Sequence, residues 1–417
     1  MTPADALRTL RARRRNYSLA QPFYHSAEAY KLDLANIFYR DWIFAGHDCE
    51  IANPGDYFTF SIGDYAIIVN RDEAGRVRAH HNSCRHRGYK VCDAAKGNVK
   101  RRFVCPYHQW SYDLDGSLAR TRGMGDDFDA SKFGLKPVHA ESVGGWIFVC
   151  VADTAPDFAA FRATIEPYFA PYDLTNAKVA FEYRIVEKGN WKLVMENNRE
   201  CYHCSGSHPE LCRVFPEAPV ATAGPVAGDD SDTGHIADFV AHWEAKGLPG
   251  QFKIADNNQY RIMRMPFLGE ARSMTMSGEP AVTKRLGRAP ATENCGDVLL
   301  YHYPSTWNHV TADHALSFRC LPLSATETEL TTKWLVPKDA VEGRDYDLQT
   351  LTEVWKATNA QDMALVERNA EGIRSPAYEP GPYSPIHETG VIQFVDWYCG
   401  SLVERLGGRT KKLQAAE

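Results

Sequence analysis

The sequence predicts an α+β fold in which a small all-β domain precedes a larger domain with an antiparallel sheet flanked by helices. Three observations lead to this prediction. Residues 57–80 alternate apolar and polar side chains with period two, and short glycine-containing turns interrupt them. Residues 298–336 repeat this pattern farther along the chain, as expected for a second antiparallel meander. Residues 191–204 and 345–372 instead carry the spacing of helices.

At 417 residues the chain is long enough for two domains with complete cores, and the changes in pattern suggest their boundaries. Residues 1–43 are predicted to form a basic, largely solvated arm and a helix that pack on the larger domain. Ser26 is a good N-cap for that helix. The all-β domain is assigned to residues 44–160 and the larger domain to residues 161–417. Within the latter, residues 216–234 are rich in Pro, Ala, Gly and Asp, which indicates a loop.

Composition excludes several classes of protein. The net charge of −6 gives no reason to expect nucleic acid as a partner. No apolar run approaches the length of about eighteen residues that a membrane span needs, and the first residues lack the apolar core of a signal peptide. The eleven cysteines are an odd number scattered along a long chain, which suggests reduced thiols and a cytoplasmic location.

Two loops of the all-β domain carry paired metal-binding residues. Cys84-x-His86 and Cys105-x-x-His108 are separated by eighteen residues. Two cysteines and two histidines can hold zinc, or a two-iron, two-sulfur cluster in which both histidines bind one iron. Zinc sites usually pair Cys-x-x-Cys with two histidines. Because each loop here supplies one of each residue, the iron–sulfur cluster is favoured, with zinc as the alternative.

A second group of metal-binding residues lies at the end of the helix that starts at Trp191. Helical spacing predicts that Glu200 and His203 share one face. The Ser-Gly-Ser sequence at 205–207 is predicted to end the helix and to let His208 turn toward His203. A di-iron site would need a second Glu-x-x-His, which the sequence lacks. A site of two histidines and one distant carboxylate, suited to Fe(II) and O2 chemistry, is therefore favoured.

Asp362 is the candidate for the distant carboxylate. It interrupts an otherwise core-facing stripe on the 345–372 helix, formed by Leu351, Trp355, Thr358, Leu365 and Val366. A buried, unpaired carboxylate is costly, so Asp362 should be paired or bound to metal. The alternative is a buried aspartate held by a cap or a salt bridge.

At this point the sequence resembles a known family. Cys84-Arg-His-Arg-Gly and Cys105-Pro-Tyr-His-Gln-Trp-Ser-Tyr-Asp-Leu-Asp-Gly resemble the cluster loops of Rieske non-haem iron oxygenases. Gln109 stands where most members have glycine, as in the branch that demethylates quaternary ammonium compounds. The similarity runs from Gln21 to Tyr398. Within that branch, the sequence resembles the stachydrine (proline betaine) demethylases at residues 187–194, 197–205, 303–309 and 375–385, most of which glycine betaine monooxygenases share.

The resemblance implies a role for each candidate residue. The Rieske [2Fe-2S] cluster would be bound by Cys84, His86, Cys105 and His108. The mononuclear Fe(II) would be bound by His203, His208 and Asp362. Glu200 would connect the cluster of one subunit to the iron of the next, along a path from His108 through Glu200 to His203. Asn197 matches a family asparagine near the iron. Such transfer between subunits implies a homotrimer.

The implied activity is oxidative N-demethylation of a quaternary ammonium betaine by O2, with release of formaldehyde. Stachydrine is favoured over glycine betaine or a carnitine-like compound. Electrons would come from NAD(P)H through a separate flavin and iron–sulfur reductase, because the chain contains no recognisable nucleotide-binding turn. Two other functions stay open: an aromatic ring-hydroxylating oxygenase, and a non-catalytic binding protein stabilised by zinc.

Several further residues are singled out without a firm role. Aromatic faces bind quaternary ammonium groups, but each aromatic residue of the larger sheet is better explained as core: Tyr260, Tyr301, Tyr303, Trp307 and Trp334. Candidates to bind a substrate carboxylate are Arg261, Arg264 and Arg319. The Cys201-x-x-Cys204 spacing matches a dithiol motif but is interpreted as packing. Histidines interpreted as structural are His302, His309 and His314.

Overall fold

The structure is a computed structural model that describes residues 1–216 and 233–407. The loop predicted at 216–234 therefore lies outside the described residues, except for Pro216 and the first two residues of a helix. No helix among the described residues has both the length and the apolar character needed to cross a bilayer. All eleven cysteines are described, and all are free thiols.

The first part of the chain forms a seven-stranded sheet and a separate three-stranded sheet. The strands are β1 Ile43–His47, β2 Asp56–Ile62, β3 Tyr65–Arg71, β4 Val77–His81, β5 Lys96–Asn98, β6 Arg102–Val104, β7 Ser111–Asp113, β8 Leu118–Arg120, β9 Pro137–Val143 and β10 Trp146–Cys150. The larger sheet has the order β1-β10-β9-β4-β3-β2-β5, and the smaller one the order β6-β7-β8. The strands predicted between residues 57 and 80 are confirmed.

The second part contains one antiparallel sheet, in the order β11-β17-β16-β15-β14-β13-β12. Its strands are β11 Ala177–Glu187, β12 Lys253–Ile254, β13 Tyr260–Met265, β14 Asp297–His302, β15 Thr306–Val310, β16 Ala315–Pro322 and β17 Thr328–Pro337. The three strands predicted in the 298–336 meander are confirmed. β15 was not predicted. All five of its residues are buried although Thr306, Asn308 and His309 are polar, so its sequence lacks the apolar run that marks a buried strand.

The helices lie at the start of the chain and around the second sheet. They are α1 Pro3–Arg11, α2 Pro22–His25, α3 Ala27–Asp33, α4 Ala159–Phe169, α5 Trp191–Asn198, α6 Cys204–Ser207, α7 Thr233–Ala245, α8 Leu348–Ile373 and α9 Thr389–Arg405. Ser26 caps α3 as predicted, since its side chain accepts a hydrogen bond from the Ala29 backbone. The arm is less solvated than predicted. Ala6 and Leu10 of α1 are buried, and Arg13 forms an ion pair with Asp396 of α9.

The two parts of the chain share a core. The side chains of Phe44, Trp146 and Phe148 in the first sheet belong to the same buried cluster as Val298 and Leu300 in the second. Burial of this apolar surface holds the two parts together. The domain boundaries drawn at residues 43 and 160 stay a prediction.

One helix differs from its prediction. The helix that begins at Trp191 ends at Asn198, and the 205–207 sequence lies inside the short helix α6 instead of ending a longer one. Asparagine has low helix propensity. The Glu200 carboxylate then accepts hydrogen bonds from the backbone N–H groups of Tyr202 and His203, which favours a turn over a continued helix. Glu200 therefore reaches His203 across a turn.

A buried ion pair fixes α5 against the N-terminal helices. The Lys192 ammonium bonds to the Asp33 carboxylate, and neither side chain is exposed. Asp33 also accepts hydrogen bonds from Trp191 Nε1 at 2.9 Å and from the Tyr398 hydroxyl at 2.7 Å. Because these donors come from α5 and α9, Asp33 joins three helices.

We expect Lys192→Met to lower the free energy of unfolding by about 3 kcal/mol, because it leaves a buried carboxylate without its charge partner. Urea unfolding would measure the loss. Lys246→Met is the control, since Lys246 pairs with Glu293 at 2.8 Å on an exposed surface, where such a pair contributes about 0–1 kcal/mol. Equal losses in the two variants would contradict the prediction.

Glu187, at the end of β11, is a buried carboxyl group. Burial, assisted by the nearby carboxylates of Asp362 and Glu367, raises its pKa from 4.5 to about 8. Between these values the folded chain holds a proton that the unfolded chain releases, so the stability due to this group is lost as the pH rises toward 8. We expect Glu187→Gln to flatten the fall of the thermal unfolding midpoint between roughly pH 5 and pH 8.5. A variant that follows the wild-type pH profile would contradict this.

Candidate metal centres

The two loops expected to hold the cluster have matching backbones. In the first loop the Gly88 N–H donates to the Cys84 carbonyl at 2.8 Å, and in the second the Gln109 N–H donates to the Cys105 carbonyl at 3.0 Å. Gly88 and Gln109 both have positive φ angles, of 76° and 62°. A left-handed conformation suits glycine best. The structure thus explains why a glycine at position 109 would be the unstrained choice and shows that this chain accepts glutamine there.

Cysteines lie inside the loops and histidines lie outside. Cys84 and Cys105 are buried, whereas His86 is exposed and its ring centroid is 4.6 Å from that of His108. The Trp110 indole stacks on His86 at 4.9 Å. Burial raises the pKa of the Cys105 thiol, so a bound metal ion is needed to hold it as a thiolate at neutral pH. Two inner sulfurs and two adjacent outer imidazoles fit a [2Fe-2S] cluster with an exposed histidine edge.

The second group of predicted ligands also converges. His203 Nε2 and His208 Nε2 are 3.0 Å apart. Asp362 Oδ1 lies 3.3 Å from the first nitrogen and 3.0 Å from the second. α8 supplies Asp362, and the segment around α6 supplies both histidines. The structure therefore brings together three residues that span about 160 positions of the chain. Their identity as iron ligands stays a prediction.

The opposite edge of each imidazole is held by an oxygen acceptor. Glu200 Oε1 lies 2.5 Å from His203 Nδ1, and Gln361 Oε1 lies 2.8 Å from His208 Nδ1. Gln361 is itself fixed by a bond from its Nε2 to Glu210 Oε2 at 2.9 Å. An acceptor at Nδ1 puts the proton there and leaves the Nε2 lone pair for a metal. Sequence reasoning did not identify Gln361 as a support, although its position next to Asp362 could have suggested it.

The charges of this group fit a bound cation. Asp362 Oδ1 is a buried oxygen without a well-oriented hydrogen bond, even though two imidazole nitrogens lie close to it. Burial alone would raise the pKa of Asp362, but His203 and His208 outweigh it and lower the pKa. Burial alone would likewise lower the pKa of His203, but the Asp362 and Glu200 carboxylates raise it to about 10. The three donors therefore favour positive charge at their centre, as a divalent ion would supply.

Two cysteines lie beside this centre. Cys204 Sγ lies within 4.8 Å of ligand nitrogens of His203 and His208, and Cys201 Sγ is 2.7 Å from Cys204 Sγ. The hydrogen bond to the Cys201 sulfur and burial raise the pKa of the Cys204 thiol. The thiol is therefore neutral unless a metal ion displaces its proton. The interpretation of this pair as packing stays a prediction.

A cavity of about 510 Å³ opens beside Glu200 and His203. Its lining includes Asn197 and three more carboxylates, those of Glu196, Glu379 and Glu388. Burial raises the pKa of Glu196 to about 7, even though the Tyr24 and Tyr383 hydroxyls donate to it. Asn197 thus lies near His203 as expected, while its role stays a prediction.

The three candidate arginines lie in different surroundings. Arg264 bonds the Tyr172 hydroxyl at 2.8 Å on the face of the sheet away from α5 and α8. Arg319 bonds the Ala45 carbonyl at 2.6 Å, next to the first sheet. Arg261 is buried on the face toward the helices, with its Cζ 4.8 Å from the Tyr301 ring centroid. Only Arg261 has unbonded guanidinium nitrogens on the side of the sheet that carries the metal-binding helices.

Comparisons with known proteins agree with this arrangement. The Rieske [2Fe-2S] domain family matches residues 41–133, and the family described as the ring hydroxylating alpha subunit (catalytic domain) matches residues 174–402. The glycine betaine monooxygenase oxygenase subunit of Chromohalobacter salexigens is 46% identical over 417 residues, which cover 98% of this chain and 91% of that protein. The protein of the same name from Pseudomonas aeruginosa is 46% identical over 95% of this chain and 92% of its own length.

Among solved structures, the quaternary ammonium Rieske monooxygenase CntA in complex with an inhibitor has a TM-score of 0.71. The alignment covers 92% of this chain and 95% of that chain at 21% identity. At this identity the likeness shows the fold alone. That fold is the predicted one, a small β domain followed by a larger domain with helices around an antiparallel sheet.

Proposed function

Because this chain belongs to the family of Rieske oxygenase alpha subunits, we propose that it removes an N-methyl group oxidatively from a small quaternary ammonium betaine. The family assignment decides for iron over zinc and against the non-catalytic binding protein. Members carry a [2Fe-2S] cluster and a mononuclear iron, and a separate reductase supplies the electrons. The observation that carries the proposal is the convergence of His203, His208 and Asp362 in a chain that is 46% identical to glycine betaine monooxygenase subunits.

Two betaines are candidates for the substrate. Resemblance over residues 187–194, 197–205, 303–309 and 375–385 favours stachydrine, and the names of the relatives favour glycine betaine. Both are zwitterions in which a carboxylate lies close to a quaternary nitrogen. A quaternary nitrogen cannot donate a hydrogen bond, so its recognition depends on aromatic faces and shape.

The chain's own residues prepare both metal sites. In the cluster site the buried Cys84 and Cys105 and the outer His86 and His108 would hold a [2Fe-2S] cluster, and the histidine edge would give electrons an exit. In the second site Glu200 and Gln361 fix the imidazoles so that His203 and His208 present Nε2. When bound, the cluster stores single electrons and the mononuclear iron activates O2. Two electrons from NAD(P)H, two protons and one O2 would convert the N-methyl group to a hydroxymethyl group and form one water. The hydroxymethyl ammonium would then break its C–N bond to give formaldehyde, the demethylated amine and one proton.

We also propose that the cluster of one subunit meets the iron site of another in a homotrimer. The cluster end exposes Tyr89 and Tyr107, with Arg87 5.2 Å from the Tyr107 ring centroid. The cavity beside Glu200 is rich in carboxylates. The opposite charges of the two surfaces favour such contact, and the electron path would run from His108 through Glu200 to His203.

The test is turnover of each betaine by the purified protein, supplied with the flavin and iron–sulfur reductase of a Rieske oxygenase, NADH and O2. We expect formaldehyde and the demethylated amine in equal amounts, that is N-methylproline from stachydrine or dimethylglycine from glycine betaine. Substrate-free enzyme, and enzyme stripped of mononuclear iron, are the controls. A parallel assay offers an aromatic hydrocarbon in place of the betaine. Its conversion to a diol, with no formaldehyde from either betaine, would instead support a ring-hydroxylating oxygenase, and oxidation of neither class of substrate would overturn the proposal.

A further inference from the structure

A buried aspartate–histidine pair lies in the centre of the second sheet, outside the metal ligands. His309 of β15 and Asp297 of β14 are joined by a contact of 2.6 Å between Nδ1 and Oδ2, with side chains 5% and 0% exposed. The Val310 backbone N–H donates to the other Asp297 oxygen at 2.8 Å. Burial of a charged pair brings little net stability over apolar residues. Stability alone therefore does not explain why the sheet buries this pair.

The pair lies under both segments that carry the metal ligands. The His309 ring centroid is 4.6 Å from that of Trp355, which is seven residues before Asp362 on α8 and so on the same face. It is 6.0 Å from that of Phe215, which follows His208 by seven residues. His309 therefore faces the metal-binding segments across two aromatic rings.

Asp297 fixes the orientation of the imidazole. With its carboxylate at Nδ1, the second nitrogen, Nε2, points away from Asp297 and makes no hydrogen bond within residues 1–216 and 233–407. An anion can bind at Nε2 only when both ring nitrogens carry a proton, so it would bind together with a proton, and Asp297 would balance the charge of the resulting imidazolium. The rings of Trp355 and Phe215 beside it suit a quaternary ammonium group.

We propose that His309, held by Asp297, binds the carboxylate of the betaine while Trp355 and Phe215 contact its ammonium group. This inference rests on the proposed function, which supplies the zwitterion. His309 would then be the residue that selects betaines over cations that have no carboxylate. Arg261 is the competing residue, because its Nε and Nη2 are buried without hydrogen-bond partners. Arg261 pairs with Tyr301 in the sheet, one row of side chains beyond the Leu299–His309 pair.

The test compares a betaine with tetramethylammonium, which has the cation but no carboxylate. The KM of the betaine and the inhibition constant of tetramethylammonium are measured for wild type, His309→Gln, Asp297→Asn and Arg261→Gln. We expect the first two variants to raise the betaine KM about 10- to 100-fold, the effect of losing one charge-assisted hydrogen bond. The inhibition constant of tetramethylammonium should change less than about 3-fold in both. Arg261→Gln should leave the preference for the betaine over tetramethylammonium unchanged, because it leaves the His309–Asp297 pair intact.

A variant at a residue proposed to contact the ammonium group provides a second test if the His309 and Asp297 variants fold poorly. Phe215→Leu should weaken betaine and tetramethylammonium to a similar extent, by about 3- to 10-fold. Equal losses for both compounds in His309→Gln, or a selective loss in Arg261→Gln alone, would overturn the role of His309. A Phe215→Leu variant that weakens neither compound would overturn the cation contact. Wild-type enzyme that turns over no betaine would overturn the proposed function, whereas normal turnover with an unchanged KM in His309→Gln would overturn this inference only.

Discussion

Replacement of Asp362 with alanine is expected to abolish betaine turnover and to leave the Rieske cluster in place. Asp362 Oδ1 is the only carboxylate oxygen among the described residues that approaches both His203 Nε2 and His208 Nε2, at 3.3 and 3.0 Å. Loss of a residue that only supports a metal ligand costs about 10- to 100-fold in affinity or activity. Loss of the carboxylate itself should therefore cost at least about 100-fold in turnover.

Iron content and spectroscopy separate this effect from misfolding. We expect Asp362→Ala to lose one iron per chain and to keep the visible and electron paramagnetic resonance spectra of the reduced cluster. Glu371→Ala is the matched control, because Glu371 is an exposed acid on the same helix. An Asp362→Ala variant with full iron content and normal turnover would show that the triad is assigned wrongly.

The sequence was most informative where a local pattern decides the structure. The three strands between residues 57 and 80 follow from period-two alternation, and the α8 helix follows from a stripe that Asp362 interrupts. The cluster motifs also lie on tight loops between strands, as their Gly and Pro content indicates. In each case the interactions that select the structure are close in sequence.

The structure revealed the features that depend on contacts between residues distant in sequence. The end of α5 at Asn198 is set by the Glu200 carboxylate bonding forward to the backbone, which competes with a helix that the spacing alone favours. β15 is buried on both faces although three of its five residues are polar. His309 looked like an ordinary sheet histidine because its partner Asp297 and its neighbour Trp355 are remote in sequence. The sequence carries no local signal for such a pair.

The second large effect is expected for Glu200→Gln, which should slow electron transfer from cluster to iron without removing either metal. Glu200 Oε1 contacts His203 Nδ1 at 2.5 Å, and the residue borders the open acidic cavity. Glutamine keeps the size of the side chain but removes the charge. We expect the rate of cluster oxidation in a single turnover to fall by about 10- to 100-fold, as for other partners of ligating histidines. Stopped-flow absorbance of the pre-reduced enzyme mixed with O2 and betaine would measure it.

The Glu200 prediction depends on the contact with His203, because negative charge in the cavity is not confined to this residue. Glu388 borders the same cavity, and its carboxylate accepts a bond from the Ser384 backbone at 2.6 Å instead of an imidazole. Glu388→Gln is therefore the matched control, with an expected rate within about 3-fold of wild type, as for a surface change. Equal slowing in both variants would mean that Glu200 acts through the negative charge of the cavity and not through its contact with His203. Slowing in Glu200→Gln alone, with both metals retained, is the result expected if its carboxylate connects the neighbouring cluster to His203.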